Sequence, residues 1–256
     1  MPDHSTTLPS PVMLVTGGSR GIGAATALLA AKRGYAVCVN YIRDHHAADA
    51  IVQEIERGGG TAMAVAADVA REDHVMHLFE TIDSTLGPIN ALVNNAGILE
   101  RQARVEEMTG ARLRRVLATN VVGYFLCARE AVRRMSTRHG NEGGAIVNVS
   151  SAASRLGAAG EYVDYAASKG AIDTMTIGLA REVAAERIRV NAVRPAFIHT
   201  DIHATGGEPD RVARVAPSVP MRRGGDAEEV ARAILWLISA EASYSTGAIV
   251  DVSGGA

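Results

Sequence analysis

The chain has 256 residues, 47% apolar and 21% charged, with a formal net charge of −2. Such a balance excludes a disordered chain and is enough for a single α/β domain with a large core. It also argues against a nucleic-acid or anionic-membrane binder that works by bulk charge.

Residues 1–11 are polar and proline-bearing, with neither the charged start nor the apolar run of a signal peptide, and are expected to form a disordered arm. From residue 12 onward, short β-branched or apolar runs alternate with helical patterns. Strands are predicted at Val12–Thr16, Ala36–Tyr41, Ala62–Ala67, Ala91–Asn94, Ala145–Ser150, Arg189–Val193 and Ala248–Val252. Helices are predicted at Gly21–Arg33, His46–Arg57, Arg71–Leu86, Gly110–Arg138, Tyr162–Glu186 and Ala227–Ser239, several of them stopped by glycine. The alternation implies one doubly wound parallel sheet of seven strands, a Rossmann fold with helices on both faces. Residues 196–225 break the pattern with glycines and prolines. They are read as a substrate lid, with a short helix near Asp210–Val215. Cys38 and Cys127 fall inside apolar stretches and read as buried small hydrophobes, in keeping with a reducing cytosol. No apolar run reaches the ~18 residues of a membrane span. The histidines form no metal-binding spacing, so no metal is expected.

The first predicted strand runs into Thr16-Gly17-Gly18-Ser19-Arg20-Gly21-Ile22-Gly23, which opens a predicted helix. In this context Gly17 permits a tight turn, Gly21 lets backbone approach a pyrophosphate, and Gly23 allows close packing of helix on strand. The helix N-terminus offers free N–H groups to the phosphates. At the end of the second strand an NAD site wants an acid for the adenosine ribose. This chain has Asn40-Tyr41-Ile42-Arg43, with no acid until Asp44. A neutral Asn40, with Arg20 and Arg43 in reach, would tolerate a ribose 2′-phosphate, which points to NADP(H) over NAD(H).

Tyr165 and Lys169 stand four apart, on one face of a predicted helix. A free phenol has a pKa of about 10. A neighbouring cation would pull it towards the working range of a proton donor or acceptor. The chain has only two lysines, Lys32 and Lys169; every other basic residue among its 26 is arginine. A compact ammonium at this one position is therefore informative. Tyr162 lacks such a partner, since residue 166 is alanine.

These motifs, with Asp68-Val69, Asn94-Asn95-Ala96-Gly97, Asn120, Asn148-Val149-Ser150-Ser151 and Arg194-Pro195, occur in an order and spacing that resemble the short-chain dehydrogenase/reductase family from about Met13 to the C-terminus. The sequence looks most like NADP-dependent bacterial members of the glucose 1-dehydrogenase-like and 3-oxoacyl thioester reductase-like kind. The resemblance implies a catalytic set of Asn120, Ser151, Tyr165 and Lys169. It implies cofactor contacts from Gly17, Ser19, Arg20, Gly21, Ile22, Gly23, Asn40, Tyr41, Arg43, Asp68, Val69, Asn94, Ala96, Gly97, Tyr165, Lys169, Pro195, Ile198 and Thr200. By the same resemblance Asn120 interrupts its helix and holds a water that links the lysine to solvent, and Ser151 donates to the reacting carbonyl oxygen. The family usually has Pro-Gly where this chain has Pro195-Ala196, and a positive φ there would strain alanine.

The reading is an NADP(H)-dependent oxidoreductase, with NAD(H) as the alternative cofactor, acting on a small sugar, polyol or ketone. A 3-oxoacyl thioester reductase is the enzyme alternative, for which Arg129, Arg133, Arg134 and Arg138 make a basic helix end that could dock an acidic carrier protein. A non-catalytic dinucleotide sensor is the alternative from another class. No nucleic-acid or membrane partner is expected. The resemblance implies a homotetramer built on the Gly110–Arg138 and Tyr162–Glu186 helices.

Overall fold

The computed structural model describes residues 10–256. The expected N-terminal arm therefore lies outside the described residues, apart from Ser10 and Pro11. The Pro11 carbonyl accepts the Ala36 N–H at 2.9 Å, so the chain has joined the sheet by that point.

Seven strands, β1 (Val12–Val15), β2 (Ala36–Tyr41), β3 (Ala62–Ala66), β4 (Ile89–Asn94), β5 (Gly144–Val149), β6 (Ile188–Pro195) and β7 (Ile249–Val252), form one sheet in the order β3-β2-β1-β4-β5-β6-β7. Every neighbouring pair is parallel. The strand order reverses between β1 and β4, which opens a crevice at their carboxyl ends.

The helices are α1 (Gly21–Lys32), α2 (His45–Arg57), α3 (Glu72–Thr85), α4 (Gly110–Leu117), α5 (Gly123–Met135), α6 (Ala153–Leu156), α7 (Val163–Val183), α8 (Ile202–Thr205), α9 (Arg211–Val215) and α10 (Ala227–Ile238). Consecutive side chains of a strand point to opposite faces, and both faces here are covered, so the strands read as unbroken apolar runs. Val12, Leu14, Cys38, Leu92, Ile146 and Val190 pack with α3, α5 and α7 on one side. Met13, Val15, Val37, Val39, Val93 and Val147 pack with α1, α2 and α10 on the other. Both cysteines are buried and unpaired.

Three departures from the expected elements have local causes. The single predicted helix 110–138 is two helices, joined by a π-helical turn at Ala118–Val122 and followed by a 3₁₀ turn at Thr137–His139. The widened turn sits at Asn120, a poor residue for a helix interior. Helix α6 was not predicted, because four residues are too short for a periodic signal. Within 196–225 the expected short helix is α9, but α8 precedes it. Among the described residues no helix is long and apolar enough to cross a membrane.

Candidate active site

The turn after β1 is fixed from the neighbouring strand. Thr16 Oγ1 accepts the N–H groups of Asn95 and Ala96 at 2.9 and 3.0 Å. The Asn95 amide donates to the carbonyls of Thr16 and Gly17 at 2.9 and 3.0 Å. A Cβ on Gly23 would lie 2.3 Å from the Gly17 carbonyl oxygen and 2.6 Å from Asn95 Nδ2. Glycine is therefore needed at 23 to admit this carbonyl and amide, a more specific reason than helix-on-strand packing. Gly21 has φ +54° and lies under Thr200, whose Cγ2 would sit 3.1 Å from an added Cβ. The first turn of α1 carries no acid, and its N-cap residue Arg20 lays no side chain over the free N–H groups. An uncapped helix end behind positive-φ glycines is a cradle for an anion, and it fits the pyrophosphate of a dinucleotide. Ser19 and Ile22 line this turn half-buried.

At the end of β2 Asn40 sits inside the sheet. Asn40 is 1% exposed. Its amide donates to Ala67 O at 2.9 Å and Val65 O at 3.3 Å, and its Oδ1 receives the Gly17 N–H at 3.4 Å. Strand alternation turns it inward, where it ties β2 to β3 and to the glycine turn. The strand ends one residue later, at half-buried Tyr41, with Arg43 and Arg20 exposed nearby. The nearest acid, Asp44, caps α2 by accepting the Ala47 N–H at 3.0 Å.

Asp68 and Val69 follow β3. One Asp68 oxygen accepts the Ala70 N–H at 3.0 Å, and buried Val69 packs against Gly123 on α5. Asn94, also expected at the cofactor, is buried: its amide donates to Asn148 at 3.0 Å and to the Tyr124 carbonyl at 3.3 Å. These bonds tie the end of β4 to β5 and α5. Ala96 and Gly97 are half-buried at the β4 exit, and a Cβ on Gly97 would stand 3.7 Å from Lys169 Nζ.

Asn120 is fully buried. Its Oδ1 accepts the Ile98 N–H at 2.8 Å, and its amide donates to Ile98 O at 3.0 Å and Ser168 Oγ at 3.2 Å. The helix is interrupted there, as expected, and the side chain ties the loop after Gly97 to Ser168 on α7.

Ser151, Tyr165 and Lys169 come together at the exits of β5 and the start of α7. The Ser151 hydroxyl lies by the Tyr165 phenol, close enough to act on its proton affinity. Lys169 is 2% exposed, with Nζ donating to Val149 O at 2.7 Å and to Tyr124 Oη at 3.1 Å. Nζ lies 5.6 Å from the Tyr165 ring centroid. The electrostatics differ from the sequence expectation. Burial raises the Tyr165 pKa above the ordinary tyrosine value, with the Ser151 hydroxyl acting against it. Burial also brings Lys169 down to about 7, opposed by the Asp173 carboxylate. The phenol is therefore protonated at neutral pH and placed to donate, beside an ammonium whose charge changes in that same range.

The 196–225 segment folds over these strand ends. Pro195 closes β6, and Ala196 has no positive φ, so alanine there is unstrained. Ile198 bridges to Gly225, and its carbonyl accepts from Thr200 Oγ1 at 3.4 Å and pairs with His203 Nε2 at 3.0 Å. Arg211 stacks between the rings of Tyr162 and Phe197 at 5.2 and 5.8 Å and pairs with Glu161 and Glu208. Arg214 also pairs with Glu208, and Arg223 with Glu229. One feature near the site had no sequence signal. Arg112 grips Asp164 through two hydrogen bonds, 2.7 and 3.1 Å, both side chains almost fully buried, and Asp164 caps the Tyr165 N–H at 2.9 Å. The partners are 52 residues apart, and only a wish to pair a lone arginine on an apolar helix face would have suggested it.

An anion cradle at the switch point of a parallel sheet, with a serine, a tyrosine and a lysine gathered at the adjoining strand exit, defines a dinucleotide-dependent oxidoreductase. Residues 17–256 match the family model adh_short_C2, described as Enoyl-(Acyl carrier protein) reductase. The chain belongs to the short-chain dehydrogenase/reductase family. It is similar to the uncharacterized oxidoreductase YgfF of Escherichia coli strain K12, 61% identical over 244 residues that cover 95% of this chain and 99% of that one. It is also similar to glucose 1-dehydrogenase 2 of Bacillus subtilis strain 168, 37% identical across 97% and 95% of the two chains. Among solved structures, a blue fluorescent protein from a metagenomic library, in complex with NADPH, superposes with a TM-score of 0.88 at 33% identity, covering 98% of this chain and 99% of that one. The protein is thus an oxidoreductase that uses a nicotinamide cofactor on small-molecule substrates.

Proposed function

We propose that the protein is an NADP(H)-dependent reductase or dehydrogenase acting on the carbonyl or hydroxyl carbon of a small sugar, polyol or ketone. The observation that carries this reading is the Ser151–Tyr165–Lys169 cluster beside the glycine turn. A bound nicotinamide would supply or accept the hydride. In reduction, Ser151 and Tyr165 hydrogen-bond the carbonyl oxygen as it gains charge, and Tyr165 gives it the proton. Protonated Lys169 stabilises the tyrosinate left behind, and in oxidation the same phenolate takes the proton back. Asn120 acts by holding the loop at Ile98 against α7, and residues 196–225 serve as the substrate lid.

The preference for NADP(H) rests on a β2 that ends at Tyr41 without an acid and on exposed Arg20 and Arg43, which suit a 2′-phosphate. The NADPH bound to the solved relative supports it. Carrier-protein docking has less support than the sequence suggested, because the arginines meant to provide it are already paired. Arg129 meets Glu72 and Glu130, Arg133 meets Glu130, Arg134 meets Asp83 and Glu130, and Arg138 meets Glu186. The tetramer reading is supported by exposed Leu113, Leu117, Val122 and Phe125 on α4 to α5 and by Ile177 on α7. Gly170 and Gly178 on α7 face open space, so packing within the subunit does not account for them.

The test is a nicotinamide absorbance screen at ~340 nm, the reduced-nicotinamide band, read for turnover. It pairs NADPH with ketones, sugars and acetoacetyl thioester, NADP with sugars and polyols, and repeats both with NAD(H). Turnover with NADP(H) on a sugar, polyol or ketone is expected. Turnover confined to the thioester, or rates favouring NADH by about tenfold or more, a difference of ~1.4 kcal/mol, overturns the reading.

A further inference from the structure

Three consecutive residues at the end of β5 face successive turns of α7. The Val149 carbonyl accepts from Lys169 Nζ at 2.7 Å, Ser150 Oγ donates to Asp173 Oδ1 at 2.7 Å, and the Ser151 hydroxyl lies by the Tyr165 phenol. Tyr165, Lys169 and Asp173 are successive i, i+4 positions on one helix face. Two of the three belong to the proposed chemistry, and Asp173 is the third. It is 8% exposed, an expensive place for a carboxylate. Its second oxygen accepts Arg194 Nε and Nη2 at 3.1 and 2.9 Å. Arg194 in turn lies 3.9 Å from Asp251, which pairs with Arg155 at 3.4 Å. A row of alternating charges thus runs to the surface from buried Asp173, four residues after Lys169 on α7, through Arg194, Asp251 and Arg155.

We propose that Asp173, held between Ser150 and Arg194, is a positioning residue that supports the charged form of Lys169 against its burial and so sets the pH range of the proton transfer. The inference rests on the proposed reaction for its consequence, not for its test. Around Lys169 stand Tyr124 from α5, with its hydroxyl at 3.1 Å, and, four residues before and after it on α7, Tyr165 and Asp173. Both tyrosines are neutral near pH 7, so among the described residues Asp173 is the anion whose charge opposes the effect of burial on the ammonium. Arg194 supports the carboxylate but repels Lys169. Removing either member should therefore move the lysine in opposite senses, whereas a mere staple between α7 and β6 would move it in neither.

The test uses the fact that the chain has only two lysines, Lys32 and Lys169. The full-length protein is labelled with [13Cε]lysine, the signals are assigned with Lys32→Arg, and the Lys169 shift is followed against pH. Asp173→Asn keeps the shape and a hydrogen-bonding oxygen for Ser150. It should lower the Lys169 midpoint by at least about half a pH unit, and Arg194→Met should raise it, with Lys32 unchanged in both. Midpoints that stay at the wild-type value, or that move in the same direction in the two variants, overturn the proposal. Either variant alone decides by the sign of its shift if the other does not fold. No substrate is needed, so failure here leaves the proposed reaction standing, and failure of the reaction leaves this result readable.

Discussion

Replacing Gly23 by alanine places one methyl group where the structure has no room for it. The added carbon would stand 2.3 Å from the Gly17 carbonyl oxygen and 2.6 Å from Asn95 Nδ2. A comfortable non-bonded contact is near ~3.5 Å, so both must retreat by roughly 1 Å or the helix must shift away from them. The amide can rotate away only by giving up its bonds to Thr16 and Gly17. The carbonyl is backbone, and moving it displaces the turn that forms the anion cradle. Overpacking of this kind costs about 1–3 kcal/mol. In a chain of this length that is a fall in Tm of roughly 2–12 °C. Differential scanning calorimetry and a fluorescence titration with NADPH measure the two consequences separately. Gly23→Ala should melt lower and bind NADPH at least about tenfold more weakly, the equivalent of ~1.4 kcal/mol. A variant that melts within a degree of wild type, ~0.5 kcal/mol or less, and keeps its NADPH affinity would refute the close approach of turn, amide and helix.

Arg112→Leu leaves the buried Asp164 carboxylate without its partner and should cost about 3–5 kcal/mol in urea unfolding, against less for the double change Arg112→Leu with Asp164→Leu; equal losses would contradict a buried ion pair. Lys169 gives a pH dependence whose sign can be worked out. Its folded pKa of about 7 lies below the ~10.4 of an unfolded lysine, so between these values the unfolded chain holds a proton that the folded one lacks. Stability from this group therefore rises with pH across that window, by up to about 4 kcal/mol near pH 10, and is flat below pH 7. Urea midpoints at pH 7, 8 and 9 should rise more steeply in wild type than in Lys169→Met, and parallel curves would count against the burial of a neutral amine. Phe125→Glu puts a charge on the exposed apolar stripe of α5 and should dissociate the proposed tetramer on a sizing column with light scattering, whereas an unchanged mass would remove that face from the interface.

Elements that repeat a local pattern were legible in the sequence. All seven strands and their parallel direction follow from apolar runs covered on both faces, and the glycine turn and the Tyr165–Lys169 spacing could be read without coordinates. What was hidden depends on residues distant in the chain. Asn40 was expected at the cofactor, but the parity of β2 turns it inward to Val65 and Ala67, and a run in which both faces are buried carries no polar alternation to reveal that parity. The bond of Asn94 to Asn148 was hidden for a similar reason, since Asn148 lies on the adjoining strand. The lowering of the Tyr165 pKa by Lys169 was inferred from spacing alone. Spacing cannot convey burial, which acts on both groups and here outweighs the attraction between them. Asp173 escaped notice because its importance comes from Ser150 and Arg194 on two different strands.

The central claim is that Tyr165 is the proton donor in a hydride-transfer site, and Tyr165→Phe tests it most directly. The change removes one hydroxyl and leaves the ring. With whichever substrate the absorbance screen identifies, turnover should fall by ~10²-fold or more, the scale of a general acid, while NADPH binding is retained. Near-normal turnover in a variant that still binds NADPH would contradict the account.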